Sequence, residues 1–226
     1  MDRARPARVA VLASGGGSNL QALLDHAAER GPTCGYRVVA VASDRPDAGA
    51  LARAAAAHAP TAHLADPADA DALAEVLGEH DADLVVLAGY LKLVPAAVTR
   101  AFAGRMLNVH PSLLPAFGGH GMYGMRVHRA VLAAGARVTG ATVHLVDEAY
   151  DRGPIVAQWP VPVLPGDTPE ALARRVLAAE HLLLPRVVER VAAGASFRGA
   201  APPDAHFTLG AGDRPSPDAV DAFVGA

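Results

Sequence analysis

ARVAVLASGGGSNLQALL, residues 7–24, decides the fold: a short apolar run breaks into three glycines and opens onto a helical pattern. Val9 to Ala13 read as a strand, Gly15, Gly16 and Gly17 as a turn, and Asn19 to Glu29 as a helix. A strand, a glycine turn and a helix make the first unit of an open α/β sheet, which keeps its ligands at the carboxyl ends of its strands. The glycines let the backbone turn tightly and approach a ligand. Ser18 and Asn19 then open the helix, where free N–H groups and the helix dipole favour a phosphate. Ser18 with Gln21 also has the spacing of a capping box, and one serine can serve both purposes. There is no GxxxxGK[ST], which excludes a triphosphate P-loop, and the spacing is not GxGxxG, which weakens a dinucleotide reading.

The same alternation continues toward the carboxyl end. YRVVAVASD is a second strand and Ala48 to His58 a helix; Thr61 to Leu64 is a short third strand and Ala68 to Glu79 a helix. DLVVLAGY is apolar on both faces, as a central parallel strand should be. Pro95 can open a short helix, and RMLNVH supplies a fifth strand. PSLLPAFGGHGMYGM follows with two prolines and four glycines in fifteen residues, the composition of a long loop. Val127 to Ala134 looks helical, RVTGATVHLV and PIVAQWPVPV look like two further strands, and Trp159 should pack beside the last of them. A final helix begins near Thr168, with Asp167 and Glu170 in a capping arrangement, Pro169 early, and Leu172, Val176, Ala179 and Leu183 on one face. Pro185 should kink or break it. The expected fold is α/β: a mostly parallel twisted sheet of about seven strands with helices on both faces. One domain over residues 1–198 is expected, with a phosphate-binding half at 1–105, a second half at 106–198, and a turn-rich tail at 199–226.

Composition narrows the function. With 51% hydrophobic and 19% charged residues the chain can build a full core. A net charge of −3 leaves no field for nucleic acid or an anionic membrane, so an anion must be held by local geometry. A single cysteine, Cys34, makes no internal disulfide and fits a reducing compartment. The basic start followed by Val9 to Ala13 is too short for an export signal, and no stretch reaches the ~20 apolar residues of a membrane span. A cytoplasmic protein is expected.

Two further clusters bear chemistry. In LNVHPSLLP, Asn108 and His110 stand two apart on a strand and so share a face at its carboxyl end. An amide donor beside an imidazole can polarise a carbonyl and handle a proton, although the pair alone could equally be a hydrogen-bonded strand end. In VHLVDEAYDRGPI, Asp147, Glu148 and Asp151 crowd a loop that is either merely solvated or brings a carboxylate to His110. His120 and His128 have no accompanying CxxC or HExxH, so no metal is expected. Without a GxSxG, covalent nucleophilic catalysis has no candidate.

Taken in order, LASGGGSNLQALL, VVLAGYLKLV, LNVHPSLLP, TGATVHLVDEAYDRGPIVAQ and AAEHLLLPRVV resemble the phosphoribosylglycinamide formyltransferase family over about residues 8–190. The resemblance implies a Rossmann-like formyltransferase fold. It implies transfer of the formyl group of 10-formyltetrahydrofolate, a co-substrate, to the amine of N1-(5-phosphoribosyl)glycinamide in purine (IMP) synthesis. It makes Asn108, His110 and Asp151 the catalytic trio, and Gly17, Ser18, Asn19 and Glu180 the residues that hold the ribonucleotide. Leu91, Lys92, Leu93 and Val94, together with Asn108 and the loop Asp147, Glu148, Ala149, Tyr150 and Asp151, line the folate site. Two departures from the family stand out: His120 occupies a position where lysine is expected, and DPADADALAEVL lacks an arginine toward the folate. The alternative is a formyltetrahydrofolate hydrolase, with the same trio and water as acceptor; such enzymes usually carry an extra amino-terminal domain. A methionyl-tRNA formyltransferase needs a carboxyl-terminal domain and a basic surface; a sugar-nucleotide formyltransferase fits the phosphate turn poorly. The implied partners are the two small molecules, with neither nucleic acid nor membrane, in a monomer or homodimer.

Overall fold

A computed structural model describes residues 5–194, so the expected tail at 199–226 and the boundary at 198 lie outside the described residues. The chain runs β1 (Ala7–Leu12), α1 (Ser18–Arg30), β2 (Tyr36–Ser43), α2 (Gly49–Ala56), β3 (Thr61–His63), α3 (Ala70–Glu79), β4 (Leu84–Leu87), α4 (Ala96–Ala101), β5 (Met106–His110), α5 (Met125–Ala133), β6 (Val138–Leu145), β7 (Ile155–Pro162) and α6 (Pro169–Ala192). The seven strands form one sheet in the order β3-β2-β1-β4-β5-β6-β7, and only the β5–β6 and β6–β7 pairings are antiparallel. The mostly parallel sheet expected from the apolar runs is therefore the observed one. β4 and β5 pair across residues 105 and 106, so both expected halves share this sheet.

Alternation along the strands feeds two cores. Val9, Val11 and Ala13 of the first strand region face a cluster that includes Leu20 and Leu23 of α1, Val127 and Val131 of α5, and the buried stripe of α6. Ala10 and Leu12 face the opposite cluster, with Leu73 and Leu77 of α3 and Val98 of α4. No residue of β6 or β7 belongs to that second cluster. On that side of the sheet, the segment after β5 is held over β6 by hydrogen bonds: Leu114 N–H donates to Thr142 Oγ1, and Thr142 Oγ1 donates to the Ser112 carbonyl. Polar side chains of β5 and β6 are thus buried under a loop instead of under a helix.

The sheet order reverses between β1 and β4, the switch point at which α/β sheets open a crevice. The glycine turn after β1 and the segment after β4 meet there: Ser14 N–H donates to the Gly89 carbonyl, and Leu91 N–H to Ser14 Oγ.

Three local expectations are corrected. Gly17, at φ 74°, caps α1 without any side-chain cap bond, so Ser18 and Gln21 form no capping box; Ser18 is the first helical residue. Gln21 instead donates to Asp25 and accepts from Arg53. At α6 the cap is Thr168, whose Oγ1 accepts from Ala171 N–H; the Asp167 carboxylate turns away to Leu164 N–H and Arg175. Finally, α6 runs unbroken through Pro185 to Ala192. Proline in a helix interior costs about 3 kcal/mol. Leu183, Leu184, Val187 and Val188 flank it with no exposure, and at roughly 1.5–3 kcal/mol each their burial outweighs that cost. Trp159, as expected, is buried in β7.

Candidate active site

A cleft of about 640 Å³ opens at the switch point. Its walls come from the segment after β4, the end of β5, the loop before α5, the loop between β6 and β7, and α6. Asn108 and His110 project from β5 on the loop-covered side, as their spacing requires. His110 is 3% exposed. Its Nε2–H donates to the Phe117 carbonyl at 2.9 Å, and its Nδ1 lies 3.4 Å from Asp151 Oδ2. Both ring nitrogens therefore face acceptors, an arrangement that suits a ring able to take up a second proton. Burial pulls the His110 pKa below its ordinary value, against the opposing pull of the Asp151 charge and the Phe117 carbonyl.

Asp151 is the hub. Oδ2 accepts from Gly119 N–H at 2.9 Å, and Oδ1 accepts from Asn108 Nδ2 at 3.4 Å and lies 3.6 Å from His144 Nε2. Burial pushes its carboxyl up, but the Gly119 N–H hydrogen bond and the nearby His144 and His110 rings together outweigh this and hold it below the usual carboxylate range. Asp151 and Phe117 both have left-handed backbone, at φ 56° and 57°. Such a conformation costs a non-glycine residue about 1–2 kcal/mol, a form of strain found at functional sites.

At the opposite arm of the cleft, Asn19 Nδ2 donates to Glu180 Oε2 at 2.6 Å between α1 and α6. Both side chains are buried, and Asn19 Oδ1 has no partner among the described residues. Burial pushes the Glu180 carboxyl up to about 7, partly offset by the Asn19 bond.

A family model described as formyl transferase matches residues 7–188. The chain belongs to the formyl transferase family. Over 194 residues it is 46% identical to the phosphoribosylglycinamide formyltransferase of Mycobacterium tuberculosis, covering 83% of this chain and 86% of that protein. Over 191 residues it is 44% identical to the chloroplastic phosphoribosylglycinamide formyltransferase of Arabidopsis thaliana; this covers 81% of the chain but 65% of the relative, so the chain spans less than two thirds of that protein's length. Among solved structures it is similar to glycinamide ribonucleotide transformylase 1 from Symbiobacterium toebii, with a TM-score of 0.77, 45% identity, and coverage of 84% of this chain and 89% of that one.

The formyl transferase cleft brings together most of the residues singled out from the sequence. Asn108, His110 and Asp151 meet; Asn19, Glu180, Leu91, Lys92, Leu93, Val94, Asp147, Ala149 and Tyr150 all line the cleft. Glu148 does not: it is exposed and pairs with Arg100 of α4 at 2.8 Å. Ser18 lines a separate hollow between α1, α2 and α6, and Gly17 packs against α2. Cys34 is buried, and burial pushes its thiol up, the opposite of what a nucleophile needs. Among the described residues no cluster of three histidines, cysteines or carboxylates could hold a metal ion, and no helix is long and apolar enough to cross a membrane.

Sequence reasoning passed over His144 and weighed His128 only as a metal ligand. His144 pairs with Asn108 in the β5–β6 register, and its Nε2 sits 3.0 Å from the Asn108 amide nitrogen. His128 of α5 lines the cleft with its Nδ1 buried and unpartnered among the described residues. The one available signal for His144 was a titratable residue inside the otherwise uncharged run VTGATVHLV. His120, also at the cleft, stacks edge-on against Tyr150 at 5.6 Å, so the two cleft loops touch.

Proposed function

We propose that the protein transfers the formyl group of 10-formyltetrahydrofolate to the amine of N1-(5-phosphoribosyl)glycinamide. The observation that carries this is the placing of Asn108, His110 and Asp151 in one cleft with the Asn19–Glu180 pair, which stands beside the glycine turn. In this reading the reacting groups and the acceptor's polar body share one opening. The two arms accept two different small molecules, and the relatives' names match that chemistry.

In this reading the acceptor's phosphate lies at the amino end of α1, against Gly17, Ser18 and Asn19, while Glu180 meets its polar body. The pterin of the folate lies against Leu91 to Val94 and the loop from Asp147 to Asp151. Holding both reactants fixes the neutral amine within reach of the formyl carbon. As it attacks, negative charge grows on the formyl oxygen. Asn108 Nδ2, giving up the long 3.4 Å contact to Asp151 while keeping its bond to His144, and His110 Nε2–H stabilise that charge; a charged oxygen outcompetes the neutral Phe117 carbonyl for the histidine proton. The amine's surplus proton has a receiver in the facing pair of Asp151 Oδ2 and His110 Nδ1. It passes from there to the folate nitrogen as the old carbon–nitrogen bond breaks, leaving tetrahydrofolate and the N-formyl product. The cleft is complete within one chain, which fits a monomer or a homodimer of independent sites.

The test is a spectrophotometric assay of tetrahydrofolate release with and without glycinamide ribonucleotide. Release that requires the ribonucleotide is the expected result. Equal release without it, with formate as the other product, would instead mark a hydrolase.

A further inference from the structure

We propose that Arg53, on α2, is a positioning residue that aims the glycine-turn amides at the acceptor's phosphate; this rests on the phosphate reading of that turn. The helix α2 lies directly against the turn. Ala50 N–H donates to the Gly15 carbonyl at 3.1 Å, and Arg53 Nε donates to the Gly16 carbonyl at 2.8 Å. Neither surface has room to spare: a Cβ on Gly17 would lie 2.6 Å from Ala50 Cα, and one on Gly49 would lie 3.2 Å from Gly16 Cα.

In a trans peptide the carbonyl and the following N–H point in opposite directions. Pinning the Gly15 and Gly16 carbonyls to α2 therefore turns the Gly16 and Gly17 amides away from it. Neither amide donates to any acceptor among the described residues. Two successive amides on one side of the backbone, beside the first turn of α1, make an anion-binding concavity. Asn19, whose Oδ1 is buried without a partner among the described residues, stands at the same helix start. Arg53 is held in place on its other edge, where Nη1 donates to Gln21 Oε1 at 3.0 Å and Gln21 Nε2 donates to Asp25 at 2.8 Å. A planar guanidinium can make both contacts at once, and a lysine ammonium at the end of its flexible stem cannot hold the same fork. The side chain is exposed, so its removal leaves the core intact.

The experiment compares wild type, Arg53→Ala and Arg53→Lys with glycinamide ribonucleotide and with the dephosphorylated riboside as acceptors. Arg53→Ala should raise the ribonucleotide KM about tenfold, leave kcat and the folate KM within about twofold, and lower the preference for the phosphorylated acceptor by the same factor. Arg53→Lys, which keeps the charge, should remain at least about threefold impaired. An unchanged acceptor KM in Arg53→Ala would overturn the assignment, as would an equal loss with both acceptors. Full recovery in Arg53→Lys would overturn the orienting role in favour of bare charge. If wild type shows no ribonucleotide-dependent turnover, the functional reading fails by itself. Inorganic phosphate binding by calorimetry then decides on Arg53: weaker binding in Arg53→Ala supports the role, equal binding ends it.

Discussion

His144 Nε2 lies 3.0 Å from the Asn108 amide nitrogen while its Nδ1 lies 2.8 Å from the Leu145 carbonyl. A carbonyl can only accept, so Nδ1 carries the ring proton, and in the neutral ring Nε2 is left to accept from Asn108. The amide proposed to meet the developing oxyanion is thus oriented by a strand neighbour as well as by Asp151. His144→Leu fills the buried space but cannot accept that bond. It should lower kcat about tenfold with both KM values nearly unchanged, because an Asn108 free to rotate is aimed less often at the oxyanion. Steady-state kinetics would show it, and a kcat within twofold of wild type would mean that Asp151 alone holds the amide.

Asp151→Asn isolates the charge at the hub. Asparagine tolerates the left-handed backbone that Asp151 adopts at φ 56°, so the loop keeps its course, whereas alanine would add strain. The amide can still accept from Gly119 N–H, but it cannot receive the amine's proton or stabilise a charged His110. Turnover should fall on the order of 10²-fold or more, with a much smaller effect on substrate binding. Turnover near the wild-type rate would remove Asp151 from the chemistry.

What could be read in advance, and what could not, follows from the range of the forces involved. The β1 turn and the two-faced strands β2 and β4 are local patterns, and the sheet is built from them as expected. Asn108 and His110 share a face because the strand period is two. His144 escaped notice because its partnership depends on the register between β5 and β6, set by a long intervening segment that no local pattern encodes. The Ser18–Gln21 spacing was right for a capping box, yet the bulk of α2 against Gly17 forces a left-handed cap that displaces it. Pro185 does not break α6 for a similar reason: its local cost is real, but side chains buried on both sides of it exceed that cost.

Glu180 links the site to stability. Its folded-state pKa is raised to about 7 from 4.5 by burial, so the folded protein holds the proton more tightly than the unfolded chain does. Below 4.5 both states are protonated and there is no penalty. As pH rises to about 7 the unfolded carboxylate ionises first, and stability falls by about 3 kcal/mol before levelling off. Glu180→Gln removes this titration and can still accept from Asn19. Its melting temperature should match wild type near pH 4 and exceed it by several degrees at pH 8, while its acceptor KM rises. Calorimetric melts at the two pH values test this; a constant offset at both would mean that Glu180 ionises inside the fold as readily as in the unfolded chain.

The three glycines of the turn look equivalent in sequence but are not equivalent in structure. A Cβ on Gly15 meets nothing within 4 Å, whereas Gly17 is at φ 74° and its Cβ would lie 2.6 Å from Ala50 Cα. Gly17→Ala should therefore combine about 1–2 kcal/mol of backbone strain with displacement of α2 from the turn. That displacement loosens both carbonyl contacts, so the acceptor KM should rise steeply while the folate KM stays put. Gly15→Ala should stay within about 0.5 kcal/mol of wild type, the range of an unstrained surface change. Denaturant melts of the two variants separate the cases. Equal losses would mean that the whole turn is strained and that α2 does not act on Gly17 in particular; a loss confined to Gly17→Ala places the constraint where the helix touches the turn.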